Sequence, residues 1–90
     1  MPSKDEMLSK AISSSSRRSI LRLLCKNPQT VTNISKSMNI SISLASKHLT
    51  LLDYLRIVEA EIKFPEKYYS IKLKGIKDLL KIYDRLLNEL

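Results

Sequence analysis

Residues 41–55 read SISLASKHLTLLDYL, and the rest of the chain is organised around this predicted helix. Ser41 is a typical helix-capping residue, and the apolar side chains that follow recur at helical spacing. One face of the predicted helix collects Leu44, Ala45, His48, Leu49, Leu51, Leu52 and Leu55. The opposite face collects Ser43, Ser46, Lys47 and Thr50. The pattern therefore predicts a helix that buries one side and presents hydroxyls and a cation on the other.

The polar face of this helix carries no carboxylate before Asp53. A helix that faces only solvent ordinarily mixes acids with bases. A face without acids instead favours an electronegative partner that is recognised through hydrogen bonds. The alternative is an ordinary surface helix that happens to lack acids.

The chain as a whole is basic, with a formal net charge of +7 over 90 residues. Between Met7 and Asp53 every charged residue is a lysine or an arginine, which predicts that this half faces a polyanion such as nucleic acid.

The length fits one domain over residues 1–90. A domain of this size has a small core, so contact with a partner chain could add to its stability. No apolar run is long enough to cross a membrane, and the first residues lack the apolar core of a signal peptide. We therefore expect a soluble, cytoplasmic protein with no membrane partner.

Helix caps and breakers predict the elements at the start of the chain. Ser3 and Glu6 have the spacing of a capping box, which predicts a helix over residues 4–12. The serine run at 13–16 ends this helix and caps a second one, which terminates before Pro28.

The next segment predicts a helix-turn-helix over residues 31–55. Val31 is predicted in a short strand, and Thr32 is predicted to cap a third helix over residues 33–38. Asn39 can close this helix in the left-handed conformation. Two short helices joined by so few residues have helix-turn-helix spacing, in which the first helix supports the second in a major groove.

Residues 56–73 predict a β-hairpin, because the apolar period changes to two. The turn at residues 63–66 contains a proline, and Lys63 and Lys67 flank it. Flanking lysines predict a clamp for DNA phosphates, although a solvated turn has the same composition.

The last predicted helix, over residues 74–90, has a wide apolar stripe made of Ile76, Leu79, Leu80, Tyr83, Leu86, Leu87 and Leu90. This stripe predicts a homodimer interface shared with Met7 and Leu8 of the first helix. The alternative is that the stripe packs onto its own domain.

The order of these elements is that of a winged helix-turn-helix, and the sequence resembles one family with that fold. Three segments resemble the ArsR-type family of small dimeric transcriptional repressors. They are RRSILRLL (17–24), VTNISKSMNISISLASKHLTLLDYLRIV (31–58) and KYYSIKL (67–73). The strongest match is SKHL at 46–49, followed by LL at 51–52 and IV at 57–58. The resemblance implies a mostly α fold with a small hairpin wing and terminal helices, over residues 1–12 and 74–90, that form the dimer interface. It also implies that Ser43, Ser46 and Lys47 face DNA while Arg17 and the wing lysines touch its backbone.

The complete set of predicted DNA-binding residues is Arg17, Ser41, Ile42, Ser43, Ser46, Lys47, His48, Thr50, Lys63 and Lys67. Ile42 replaces a familiar polar residue of the family and could contact thymine methyl groups. His48 lies at the edge of the apolar face, which favours a packed or phosphate-bonding histidine over a metal or effector ligand.

The chain departs from the metal-sensing members of the family. Their cysteines at the start of the third helix correspond here to Thr30 and Thr32. The last helix has Asp78, Asp84 and Glu89 but no histidine, and oxygen ligands alone bind transition metals poorly. The only cysteine, Cys25, is predicted to be a buried structural thiol. We therefore expect no metal site, no cofactor and no metal effector, and the sequence does not reveal whether there is a small-molecule effector.

These observations predict a sequence-specific regulator that binds double-stranded DNA, most simply a homodimeric repressor on an inverted-repeat operator. The alternative is a non-specific architectural DNA-binding protein. An enzyme is not expected, because the chain has one histidine, one cysteine, a single glycine and no clustered carboxylates.

Overall fold

The computed structural model describes residues 2–90. This part of the chain contains five helices and three short strands. In chain order these are α1 (Lys4–Ile12), α2 (Ser15–Lys26), β1 (Gln29–Thr30), α3 (Val31–Met38), α4 (Ile42–Tyr54), β2 (Val58–Lys63), β3 (Glu66–Ile71) and α5 (Gly75–Glu89).

The predicted cap of α1 is confirmed. The Ser3 hydroxyl accepts a hydrogen bond from the Glu6 backbone N–H at 3.1 Å and donates one to the Glu6 carboxylate at 3.1 Å. The second helix is capped within the serine run, where the Ser14 hydroxyl accepts from the Arg17 N–H at 3.3 Å. The serines therefore act as a helix-to-helix turn, as their capping preference predicts.

The start of α3 differs from the prediction by two residues. The predicted cap Thr32 and the predicted strand position of Val31 are both wrong, because the helix begins at Val31 and the strand ends at Thr30. The Thr30 hydroxyl accepts from the Asn33 N–H at 3.1 Å. Both threonines carry the required hydroxyl, but only Thr30 is held in extended conformation by pairing with Tyr68 of β3. The sheet thus selects the cap.

The turn between α3 and α4 is closed by backbone hydrogen bonds around Asn39, which adopts the predicted left-handed conformation with φ 54° and ψ 48°. The Asn39 N–H donates to the Lys36 carbonyl at 3.3 Å, and the Ile40 N–H donates to the Ser35 carbonyl at 3.1 Å. The Ser35 hydroxyl also donates to the Ile40 carbonyl at 2.6 Å. This Schellman arrangement fixes the direction in which α4 leaves α3.

The end of α4 is closed in the same way. Arg56 has a φ of 63°, and its N–H donates to the Asp53 carbonyl at 2.9 Å. The Ile57 N–H donates to the Leu52 carbonyl at 3.0 Å, so the chain turns directly from α4 into the hairpin.

The three strands form an antiparallel sheet in the order β1-β3-β2. The two long strands pair from Val58 opposite Ile71 to Lys63 opposite Glu66, which leaves Phe64 as the first residue of a two-residue turn. The hairpin is confirmed, but its second strand ends at Ile71 instead of the predicted residue 73.

The core lies between the inner faces of α2, α3 and α4 and the base of the hairpin. Its fully buried large side chains are Ile20, Leu21, Ile34, Leu49, Leu52, Ile57 and Val58. Leu44 was predicted on the inner face of α4 but is 41% exposed. The buried face of α4 consists of Ala45, Leu49 and Leu52. Leu44, in the first turn, lies at the edge of that face.

Candidate nucleic-acid interface

The polar face of α4 is open to solvent along most of its length. Ser43, Lys47 and Thr50 are exposed, and Ser46 is half-buried. At the beginning of the helix, Ile42 is 57% exposed beside Leu44. An apolar contact surface therefore adjoins the hydroxyl and ammonium groups. Helical spacing alone assigned Leu44 to the core, so the predicted contact surface did not include it.

Ser41 combines exposure with a structural role. Its hydroxyl accepts a hydrogen bond from the Leu44 N–H at 3.0 Å and so caps α4. A hydroxyl has one donor hydrogen and two lone pairs, so the cap leaves the O–H group of Ser41 able to donate to an anion. Position 41 lies at the helix N-terminus, where the backbone dipole also favours negative charge.

Arg17 and Arg18 hold the end of the first helix, a role that the sequence analysis missed. The Arg17 Nε and Nη2 groups donate to the Lys10 carbonyl at 3.2 and 2.7 Å, and Arg18 Nη1 donates to the Ile12 carbonyl at 2.7 Å. Cations are stabilising at a helix C-terminus, where carbonyl groups lack partners. These contacts fix the guanidinium of Arg17, which presents its remaining N–H donors to any phosphate in reach.

His48 lies half-buried beside the polar face of α4. Burial lowers the pKa of its imidazole, and the nearby charge of Arg17 lowers this pKa further. The side chain is therefore neutral near pH 7, and it can be both donor and acceptor of hydrogen bonds.

The two wing lysines lie on opposite faces of the hairpin. Side chains alternate along each strand, so Lys63 shares a face with Tyr68, and Lys67 shares the other face with Tyr69. Each ammonium group lies over the ring on its own face, at 5.9 Å for Lys63 and 5.3 Å for Lys67. Both lysines are exposed.

The helix α5 divides its apolar stripe between the core and solvent. Ile76 and Leu80 are 3% and 4% exposed and belong to the core of the chain, while Leu79 and Tyr83 are half-buried. This corrects the predicted interface, because the first turns of α5 are already covered by the other elements. The apolar side chains that stay exposed are Leu86 at 56%, Leu87 at 49%, Leu90 at 102% and also Ile82 at 51%, which the sequence analysis did not include.

Two polar contacts hold α5 against α2. Arg22 forms a bidentate ion pair with Asp84, in which Nε lies 3.2 Å from Oδ2 and Nη2 lies 2.6 Å from Oδ1. The Arg18 guanidinium lies 4.7 Å from the ring centre of Tyr83.

The two α1 residues of the predicted dimer interface are partly accessible. Met7 is half-buried and Leu8 is 39% exposed.

The positions that correspond to metal ligands in metal-sensing members of the family have other roles. Thr30 is buried and caps α3, and Asp84 pairs with Arg22. Cys25, predicted to be buried, is only half-buried; burial raises the pKa of its thiol and the charge of Lys77 partly opposes this. Across residues 2–90 there is no group of three or more histidine, cysteine or acidic side chains placed to hold a metal ion. No helix in this part of the chain is long and apolar enough to cross a membrane.

A capped, exposed second helix of a helix-turn-helix, followed by a hairpin wing, defines the class of winged helix-turn-helix DNA-binding proteins. The sequence then identifies the family. The model of bacterial regulatory proteins of the arsR family matches residues 14–60, more than half of the 90-residue chain. The chain therefore belongs to the arsR family, whose members are DNA-binding transcriptional regulators. No curated protein sequence matches the chain significantly.

Solved structures share this fold over nearly the whole chain. One is the homodimeric winged helix-turn-helix DNA-binding domain of a possible ArsR-family transcriptional regulator from Mycobacterium bovis, with a TM-score of 0.85 and 24% identity over 96% of this chain and 80% of that one. HlyU from Vibrio cholerae has a TM-score of 0.82 and 26% identity, covering 92% of this chain and 90% of its own. NolR from Sinorhizobium fredii has a TM-score of 0.83 and 22% identity, covering 92% and 83%. These likenesses confirm the predicted mostly helical winged helix-turn-helix fold, and the match of residues 14–60 to the arsR family model confirms the resemblance to that family.

Proposed function

We propose that the protein is a cytoplasmic, homodimeric transcriptional repressor that binds an inverted-repeat operator in double-stranded DNA. The observation that carries the proposal is the exposed face of α4, which offers Ser43, Lys47 and Thr50 with no carboxylate before Asp53. A face of this kind suits base edges and phosphates, and the family membership supplies the DNA partner.

Within this proposal, residues 31–55 form the helix-turn-helix and residues 56–73 the wing of one domain over residues 1–90. Ser43, Ser46 and Lys47 contact base edges, and Ile42 contacts thymine methyl groups. The backbone contacts come from Arg17, Ser41, His48, Thr50, Lys63 and Lys67.

The dimer interface is proposed from the apolar surface that one chain leaves uncovered. On α5 this surface consists of Ile82, Leu86, Leu87 and Leu90, with Leu79 and Tyr83 at its inner margin. Met7 and Leu8 of α1 extend it. Four exposed large apolar side chains along one helix are costly in water, and burial against a second copy removes that cost. The Mycobacterium bovis domain, which has the same fold, is homodimeric.

The proposed regulator has no metal effector. The positions that match the family's metal-binding cysteines are threonines, and Thr30 is used as a helix cap. Hydroxyl oxygens cannot replace thiolates for zinc, nickel or arsenite.

Selection of bound duplexes from random double-stranded DNA tests the function. The proposal expects an inverted repeat with half-sites about 10 bp apart, centre to centre, because two α4 helices related by a two-fold axis enter successive major grooves on one side of the duplex. Affinity for the selected site should exceed affinity for random DNA by roughly 1,000-fold or more. Transcription in vitro from a promoter that overlaps the site should fall when the protein is added.

Two outcomes would contradict parts of this proposal. Selected sequences without a dyad, bound only a few times more tightly than random DNA, would establish the architectural alternative. Increased transcription from a promoter that contains the site would replace repression by activation.

A further inference from the structure

The tip of the β2–β3 hairpin presents an apolar surface that neither the core nor α4 uses. Phe64 is 93% exposed, and Ile62 on the preceding strand is 73% exposed. Pro65 is exposed as well. Single apolar side chains are common on protein surfaces, but a nearly fully exposed aromatic ring at the end of a projecting hairpin is placed where it can enter a partner.

The charge of the hairpin does not account for DNA binding by phosphate contacts alone. Its two strands carry Glu59, Glu61 and Glu66 together with Lys63 and Lys67, so acids outnumber bases. Glu66 is directly opposite Lys63 on the same face. A simple cationic clamp would not place three carboxylates beside two ammonium groups.

The arrangement of the lysines fits a hairpin that approaches a groove end-on. Lys63 and Lys67 lie on opposite faces, each held over a tyrosine ring, with Phe64 between them at the tip. A groove has a phosphate backbone on each wall. Each lysine can therefore bind phosphates of one DNA strand while the phenyl ring points toward the bases at the bottom of the groove.

We propose that Phe64 is a wedge that enters the minor groove of the DNA bound by α4 and partly unstacks one base step. The inference rests on the proposed DNA-binding function and adds a residue to it. The minor groove is about 6 Å wide, too narrow for a two-stranded ribbon whose strands are already about 4.8 Å apart, so only the tip side chain can enter. Apolar wedges of this kind unstack base steps and kink the duplex toward the major groove.

The wedge also predicts a sequence preference outside the bases that α4 contacts. Pyrimidine–purine steps such as TA and CA unstack most easily, so one such step should recur at a fixed distance from each half-site. The preference arises from the deformability of the step, because a phenyl ring offers no hydrogen bond to a base edge.

The test uses the full chain and a duplex carrying the site that the wild type selects from random DNA, with 2-aminopurine placed in turn at positions flanking each half-site. The fluorescence of this base rises when it is unstacked. With the wild type we expect a rise at one step per half-site. Phe64→Ser should abolish the rise and weaken binding roughly tenfold per half-site, as expected when one stacking aromatic ring is lost. Ile62→Ser is the matched control, since it removes an exposed apolar side chain that lies on strand β2 opposite Lys67 and not in the turn; it should keep the rise.

The outcomes separate the wedge from the function on which it rests. If Phe64→Ser keeps both the fluorescence rise and the affinity, or if it changes only self-association in sedimentation, the wedge is overturned while DNA binding by α4 stands. If Ile62→Ser has the same effect as Phe64→Ser, a general apolar surface replaces the wedge. If the wild type binds no duplex, the proposed function itself fails. Equal thermal unfolding of the wild type and both variants shows that the exposed tip was changed without changing the fold.

Discussion

In the proposed complex with DNA, single residues of α4 determine whether the exposed face recognises a base sequence or only binds the phosphate backbone. Lys47 is exposed on that face, and its side chain is the longest of the proposed base contacts. A lysine can donate to the O6 and N7 atoms of a guanine, or it can neutralise a phosphate. The two roles have different consequences for specificity.

We predict that Lys47→Ala flattens the preference at one base pair of each half-site. Losing a good base contact should cost about 1–3 kcal/mol at that pair and leave the other positions unchanged. Affinities for the selected site and its single-base variants measure this. Lys63→Ala is the matched control, because a backbone contact should weaken all variants alike. If Lys47→Ala also weakens all variants alike, Lys47 contacts only phosphate.

The pKa of His48 gives a second prediction at this scale. Burial and the charge of Arg17 lower this pKa below its ordinary value of 6.5. The unfolded chain therefore takes up a proton at a higher pH than the folded chain does, and the free energy of unfolding falls as the pH is lowered below 6.5 toward the folded pKa. Above that range the contribution is constant.

Since His48 is the only histidine, its NMR titration can be assigned directly. We expect a midpoint below 6.5 in the free protein. Between about pH 7.5 and 5.5 the wild type should lose more stability than His48→Gln, which cannot be protonated there. A midpoint at or above the ordinary value would contradict the prediction. A midpoint that rises when operator DNA is added would identify a contact between His48 and phosphate.

At the scale of secondary structure elements, helix α5 serves two surfaces. Its first half is anchored in the core through Ile76 and Leu80, and the Arg22–Asp84 ion pair fixes its middle against α2. Its second half presents Leu86 and Leu90 to solvent. The apolar period is the same throughout, so it is the neighbouring elements that decide which turns are covered.

This division predicts different effects for two similar substitutions. Leu80→Glu should destabilise the fold by on the order of 3–5 kcal/mol, because it places an unpaired charge in the core. Leu86→Glu should leave the fold intact and weaken the dimer about 100-fold, which corresponds to roughly 3 kcal/mol. Thermal unfolding and sedimentation separate the two effects.

Arg85→Glu on the exposed side of the same helix is the control and should change neither property. A wild type that sediments as a monomer at micromolar concentration would contradict the dimer interface. The exposed stripe would then need another partner.

Several secondary structure elements could be predicted from local sequence alone, whereas others depend on contacts between elements. Local chemistry was sufficient where a single residue decides the geometry, as with the Ser3 cap and the left-handed Asn39. It was insufficient where two positions are chemically equal, as with Thr30 and Thr32, because strand pairing makes the choice. It also could not assign Leu44 to solvent, because helical spacing alone does not show where the neighbouring helix ends.

For the candidate site, the sequence predicted the exposed hydroxyls and Lys47 of α4 but not the internal roles of the arginines. Arg17 and Arg18 bind carbonyl groups of α1, a contact that depends on the direction of the serine turn. Phe64 was assigned to a turn, and only the register of β2 and β3 shows that it is the tip.

At the scale of the whole molecule, charge is distributed along the chain in two different ways. From Met7 to Leu52 the charged residues are all basic, whereas acids and bases alternate along α5. The electrostatic potential is therefore positive over the part of the chain that contains α2, α3 and the start of α4. DNA releases the counterions condensed on its phosphates when such a surface binds it.

We therefore predict that the affinity for the operator falls steeply with salt, with a log–log slope equivalent to roughly 4–10 released ions per dimer. Each phosphate contact contributes close to one ion, so Lys63→Ala or Lys67→Ala should reduce the slope by about 2 for a symmetric dimer and weaken binding to all sequences alike. Lys81→Ala is the matched control, since Lys81 is exposed on α5 and is not one of the proposed DNA contacts, so its loss should leave the slope unchanged. Fluorescence anisotropy titrations over a range of salt concentrations measure all four proteins. A flat response in the wild type would exclude phosphate neutralisation as the source of affinity, and an equal reduction with Lys81→Ala would mean that the DNA path also covers α5.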